Sequence, residues 1–163
     1  MKKIILIRHA KSAWDNPWLP DHDRPLSDRG LRDAPIMAKR LKKRKIQPDL
    51  ILSSTAIRAV ETAKIIAKEL EFPEEEIVYE KNLYHAPPNK ILKYIHLQKD
   101  SKDTLVVIGH NPGFNELIGY LGGNLDNLPT SGQFGFLVKC DQWSDFGPKT
   151  AEFWFLDFPK KKS

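Results

Sequence analysis

Short apolar runs of strand length alternate with segments of helical spacing from residue 4 to residue 122, which restricts the chain to a mainly parallel sheet flanked by helices. Ile4 to Ile7 is apolar and β-branched, as expected of a strand buried on both faces. Residues 27–45 follow as a helix, with Ser27 as N-cap and Leu31, Ala34, Ala38 and Leu41 along one face. Pro35 either kinks that helix or lies in the first turn of one that begins near Asp33. Leu50 to Ser53 reads as a second strand. Thr55 then opens a helix with Val60, Ala63, Ala67 and Leu70 on one face, ended by Pro73. Ile77 to Tyr79 is a short strand, residues 89–98 a helix, and Thr104 to Gly109 the strongest strand in the chain. A helix from Gly113 to Leu121 is stopped by Gly122-Gly123. Phe134 to Cys140 and Glu152 to Phe158 form a hairpin around a turn at residues 145–148, which makes the sheet mixed.

The expected fold is therefore α/β: a three-layer α/β/α sandwich with a mainly parallel, mixed sheet of about six strands. With 163 residues the chain is long enough to bury a core, and no repeat or Gly/Ser linker divides it, so residues 1–163 are expected to form a single domain. The lone Cys140 rules out an internal disulfide and a cysteine-rich zinc site. Ile4 to Ile7 is too short for a secretory core, and no stretch approaches the roughly 20 apolar residues that cross a bilayer. A cytoplasmic protein without a membrane partner is the expectation.

The net charge of +5 invites a nucleic-acid reading, but its excess lies in Lys39-Arg40, Lys42 to Lys45 and the tail Lys160 to Lys162. The first group falls on the polar side of a helix, and no strand combines aromatic and basic residues as RNA-binding sheets do. No nucleic-acid partner is expected. A basic protein does attract anionic substrates.

Ligands of open α/β sheets bind beyond the carboxyl ends of the strands. Three of the predicted strands end in groups that can hold or attack phosphate. Arg8 and His9 follow the first strand, Ser53 to Arg58 the second, and His110-Asn111 follow Thr104 to Gly109. Two guanidinium forks at one pocket match a tetrahedral oxyanion, and the first turn of the second helix, where Arg58 lies, favours the same charge. Neutral His9 with one nitrogen held as a lone-pair donor is able to attack phosphorus. His110 can donate a hydrogen bond to the phosphoryl oxygens.

The chain resembles the histidine phosphatase superfamily, which is phosphoglycerate mutase-like in fold, and within it the small branch of SixA-type phosphohistidine phosphatases. IRHAKSAW at residues 7–14 is similar to the first histidine motif, with Ala10 in its third position. DRPLSDRG at 23–30, SSTAIRAVETA at 53–63, VVIGHNPG at 106–113 and Thr130-Ser131-Gly132 resemble further segments of that branch, in the same order. The resemblance implies that His9 is phosphorylated while Arg8, Arg58 and His110 hold the phosphoryl group, and that water then hydrolyses the phosphohistidine. It implies no metal and no cofactor. Arg24, Ser12 and Asn111 are candidate substrate-binding residues, although Arg24 also suits an ion pair that fixes its loop. Trp14 and Trp18 either line a cleft or pack within that loop.

Larger members of the superfamily protonate the leaving alcohol with a carboxylic acid from an inserted segment. Here the corresponding stretch is only Glu80 to Pro87. Glu80 and His85 are the candidate general acids, with Asp15 and Asp21 of the first loop as further options. An alkoxide is nearly as basic as hydroxide, whose conjugate acid has a pKa of about 15.7, and needs a placed acid. Imidazole, with a conjugate acid near pKa ~6.5, is a far less demanding leaving group. The expected substrate is a phosphohistidine on a protein. A small phosphate ester is the alternative, and a silent phosphate-binding module that keeps the arginines without using His9 is the non-enzymatic one.

Overall fold

The computed structural model describes residues 1–162, so Ser163 of the expected single domain lies outside the described residues. Six strands are present: β1 (Lys2–Arg8), β2 (Leu50–Ser53), β3 (Val78–Tyr79), β4 (Thr104–Gly109), β5 (Gln133–Val138) and β6 (Ala151–Asp157). They form one sheet in the order β3-β2-β4-β1-β5-β6. The first four are mutually parallel, and β5 is antiparallel to both β1 and β6. The hairpin expected at the end of the chain thus makes the sheet mixed, with β5 docked directly on β1.

Alternation along each strand sorts the core into two halves. Ile5, Ile7, Ile51, Val106 and Ile108 face α1 (Asp28–Lys43) and α2 (Ile57–Glu69). Ile4, Leu6, Leu52, Leu105 and Val107 face α3 (Pro88–His96) and α4 (Gly113–Tyr120). Helices on both sides of a central sheet give the three layers. The strands are continuous apolar runs because both of their faces are covered.

Two helices differ from expectation in detail. α1 runs unbroken through Pro35 from its Ser27 cap, whose hydroxyl accepts from the Gly30 amide at 3.2 Å. The hydrogen bond Pro35 cannot make would have gone to the carbonyl of Leu31, an exposed residue, so the gap lies on the solvent side of the helix. Leu31 is accordingly not a core position. The buried face is Gly30, Ala34, Met37, Ala38 and Leu41. α2 starts at Ile57 rather than Thr55, because the Thr55 hydroxyl bonds His22 Nε2 and the Ser54 hydroxyl accepts from the Ala56 amide. Among the described residues no helix is long and apolar enough to cross a membrane.

Close backbone approaches fix the loops at the carboxyl end of the sheet. A Cβ on Gly30 would lie 2.2 Å from the Lys11 carbonyl oxygen, and one on Gly113 would lie 2.2 Å from that of Ala86. Gly113 opens α4 directly beneath the loop that carries His85. Gly113→Ala is expected to lower stability by about 1–3 kcal/mol, because the obstacle is backbone that must be displaced. Chemical denaturation of the two proteins measures this directly, and an unchanged midpoint would show that the loop yields freely.

Candidate active site

The carboxyl ends of β1, β2 and β4 lie side by side, with Arg8 opposite Gly109 and Ser53 opposite Ile108 in the register. The loops that leave them therefore converge. They enclose a cavity of about 300 Å³ lined by Arg8, His9, Ser12, Arg24, Arg58, His110 and Asn111, together with Lys11, Trp14, Asp21, His85 and Thr130. Of the residues singled out in the sequence, Glu80 does not line this cavity. Its carboxylate caps a short turn instead, accepting from the backbone and side-chain amides of Asn82. Asp15 borders a neighbouring groove with Pro25 and Ser27.

His9 is buried, and its Nδ1 lies 2.7 Å from the Ala10 carbonyl oxygen. A carbonyl can only accept, so Nδ1 carries the proton and Nε2 keeps its lone pair. Burial lowers the ring's pKa, and the charges of Arg58, Arg8 and Arg24 add to this against the Ala10 hydrogen bond, bringing it to about 3. The ring is neutral at any ordinary pH. The loop is held from behind: the Ser131 amide donates to the His9 carbonyl and the Thr62 hydroxyl accepts from the Ala10 amide.

His110 lies with its ring centroid 5.1 Å from that of His9. Burial again dominates its electrostatics, with His9, Arg58 and His85 adding to it, and its pKa falls to about 2. Nε2 is 2.8 Å from the Ser54 hydroxyl. Nδ1 is buried with no partner among the described residues. Arg8 donates from Nη1 to the Leu128 carbonyl at 3.0 Å, which aims its guanidinium along the pocket wall. Burial, then Arg58, pushes its pKa down.

Asp21 is the hub that the linear sequence hides. One carboxylate oxygen accepts from Arg58 at 2.9 Å and from the Tyr84 hydroxyl, and lies 3.0 Å from His85 Nε2. The other accepts from Arg24 at 2.8 Å, while the Asp21 backbone carbonyl accepts from Arg58 at 2.7 Å. Burial alone would raise this carboxyl's pKa, but the hydrogen bonds from Tyr84, His85, Arg58 and Arg24 outweigh it and hold the group far below the carboxylate range. Three guanidinium groups and Lys11 face this one carboxylate, so the pocket is positive and suited to a doubly charged phosphoryl group.

The remaining candidates fall into supporting places. Arg24 donates to Ser12 Oγ and to the Ala13 carbonyl, and stacks on Trp14 at 3.2 Å from the ring centroid. It ties the first loop together at the pocket rim. Asn111 accepts from the Asn115 amide and donates to the Leu128 carbonyl, pinning the start of α4 against the loop behind Arg8. His85 has a left-handed backbone (φ 51°) and its ring lies parallel to His110 at 5.3 Å. Trp18 is 91% exposed and does not line the cavity. Among the described residues no group of three or more His, Cys, Asp and Glu side chains is arranged to hold a metal ion.

Residues 4–84 match the histidine phosphatase superfamily, branch 1. An uncharacterised protein of Mycobacterium tuberculosis is 32% identical over 156 residues, covering 89% of this chain and 94% of its own. An uncharacterised chloroplastic protein of Arabidopsis thaliana is 35% identical over 137 residues, which is 79% of this chain but only 63% of that protein. Among solved structures, the SixA protein of Agrobacterium tumefaciens superposes with a TM-score of 0.82 at 29% identity, over 97% of this chain and 98% of that one. A protein histidine phosphatase SixA solved with tungstate has the same fold, with a TM-score of 0.81 at 22% identity over 96% and 97% of the two chains. Matching sequence, matching topology and a pocket built around Arg8, His9, Arg58 and His110 have one common explanation: the chain belongs to the histidine phosphatase superfamily, in its SixA-type branch.

Proposed function

We propose that this phosphatase removes the phosphoryl group from a phosphohistidine carried by a protein, through a phosphohistidine intermediate on its own His9. The His9 Nε2 lone pair attacks phosphorus, the P–N bond breaks with its electron pair on the departing nitrogen, and the substrate ring, already protonated on its other nitrogen, leaves as neutral imidazole. Water then attacks the phosphoryl group on His9, releasing inorganic phosphate and returning Nε2 to its free state. Arg8 and Arg58 match the charge spread over the equatorial oxygens in both steps, and their positions cost no reorganisation during transfer.

The observation that carries the choice of substrate is the state of Asp21. It is the one carboxyl group among the pocket-lining residues, and four donors keep it ionised. A carboxylate held in this way has no proton for a leaving alkoxide, and Glu80 faces elsewhere. A leaving imidazole makes the smaller demand. The loop from Glu80 to Pro87 adds no covering segment, so a phosphate borne on a protein surface has access to the pocket.

A second reading rests on His85. Its ring lies in the cavity within 3.0 Å of the Asp21 carboxylate, so this imidazole is a candidate proton donor to an ester oxygen. That arrangement favours a small-molecule phosphomonoesterase. The two readings separate when a phosphohistidine-bearing protein and a set of alkyl phosphates are offered in parallel. Phosphohistidine is expected to turn over with kcat/KM at least ~100-fold above the alkyl esters, the gap a missing general acid commonly leaves. Efficient hydrolysis of the esters, with none of phosphohistidine, overturns the first reading in favour of the second.

A further inference from the structure

We propose that Ser54 is a positioning residue that fixes His110 in the tautomer with its proton on Nδ1, so that Nδ1–H becomes a donor to the bound phosphoryl group. The inference rests on the phosphatase reading of the pocket and adds to it the residue that decides which way His110 can act. Ser54 directly follows β2, is completely buried, and contributes nothing to the cavity wall.

The donors and acceptors around Ser54 and His110 decide the tautomer. A serine hydroxyl has one proton and two lone pairs, and a neutral imidazole has one proton for two nitrogens. The Ser54 oxygen accepts from the Ala56 amide at 3.2 Å and lies 2.8 Å from His110 Nε2, and it has no other hydrogen-bonding neighbour among the described residues. If Nε2 carried the imidazole proton, it would donate to Ser54. The Ser54 hydroxyl proton would then have nowhere to go inside a fully buried site, and His110 Nδ1 would be a second orphan as a bare lone pair. If Nδ1 carries the proton, Ser54 donates to Nε2 and both groups are satisfied. A single orphan remains, the Nδ1–H, and the phosphoryl oxygen is its acceptor. Buried polar groups avoid being left unpaired, so the second arrangement is favoured.

The device parallels the one at His9. There the Ala10 carbonyl places the proton on Nδ1 and leaves Nε2 to attack. At His110 a hydroxyl occupies Nε2 and leaves Nδ1 to donate. Two rings 5.1 Å apart thus present opposite functions, a lone pair and an N–H, with neither carrying a net charge.

Long-range proton–nitrogen correlation spectra of the wild-type protein, with histidine labelled in nitrogen-15, read the tautomer directly. His110 is expected to show a protonated Nδ1 and a bare Nε2, and its Nδ1 proton to shift when inorganic tungstate is added. Ser54→Ala is expected to move the proton partly to Nε2 and to lower kcat about tenfold, less than the ~100-fold or more that deletion of an oxyanion donor costs. Ser54→Thr, which retains the hydroxyl, is expected to keep the wild-type tautomer and most of the rate. A wild-type spectrum with the proton on Nε2 overturns the inference while leaving the role of His9 intact. A correct tautomer in a protein whose turnover does not depend on His9 overturns the underlying reading instead.

Discussion

Replacing His9 with alanine is expected to reduce turnover by on the order of 10⁴-fold or more and to abolish the covalent phosphoenzyme. The other pocket groups remain in that variant, so it should still bind tungstate, since Arg8 and Arg58 hold the anion independently of the nucleophile. Wild-type protein quenched during turnover of a radiolabelled substrate should carry label that is stable to alkali and lost in acid, as a phosphorus–nitrogen bond requires. The variant should carry none. Alanine fits the space, because His9 touches its loop chiefly through the Ala10 carbonyl, and the backbone bonds that position the loop involve neighbouring amides. Loss of activity with retained anion binding thus reports chemistry rather than misfolding. A variant that hydrolyses substrate at the wild-type rate removes His9 from the mechanism.

Arg8, His9, Arg58 and His110 are legible in the sequence because Arg8 ends β1, His9 and His110 directly follow β1 and β4, and Arg58 lies in the first turn of the helix after β2, while parallel strands bring their carboxyl ends together. Local pattern plus topology is enough to assemble them. Asp21 is different. Its partners Arg58, Tyr84 and His85 are 37, 63 and 64 positions away, and no period or motif links a carboxylate in a loop to a hydroxyl that far along the chain. Ser54 escapes for a related reason: it sits inside a recognisable segment, but its value lies in the orientation of one O–H bond toward His110. Glu80 shows the converse, a residue of the right chemistry in the right stretch whose side chain is used by the adjacent turn. In α1 the helix is readable but its face is not fully so, since Leu31 is exposed while Gly30 and Met37 are buried. A glycine carries no hydrophobic signal even where the closest packing requires it.

The structure moves the question of the leaving group from a missing residue to an occupied one. The stretch after β3 offers no acid that its motif places in the pocket. The pocket does contain a carboxylate, but one committed to holding Arg58, Arg24, Tyr84 and His85 in register. An acid poised for catalysis needs a raised pKa, and Asp21 is shifted the other way. Its contacts orient Arg58, the arginine proposed to bind phosphate, and the imidazole that overlies His110.

The buried histidines also predict an unusual response to acid. In the folded protein His9 and His110 take protons only near pH 3 and 2, whereas in the unfolded chain a histidine does so near 6.5. For kcat/KM, which reports the free enzyme, the nucleophile stays neutral from pH 7 to pH 5, and no acid limb centred near 6.5 is expected. An ordinary histidine nucleophile would lose about 30-fold by pH 5. Stability carries the opposite consequence. Between the unfolded and folded values the unfolded state binds more protons, so the stability these rings contribute is complete above about pH 6.5 and is lost as pH falls toward 3. Each ring accounts for about 1.4 kcal/mol per pH unit within that window, or on the order of 3 kcal/mol per unit together. Urea denaturation at intervals from pH 6 to pH 5 measures this slope largely above the range where carboxylates protonate. His9→Ala should remove about half of it, while the rate profile of the wild-type protein remains flat across the same interval. An acid limb near 6.5 together with a stability that does not change with pH would mean that neither histidine is held neutral by its surroundings.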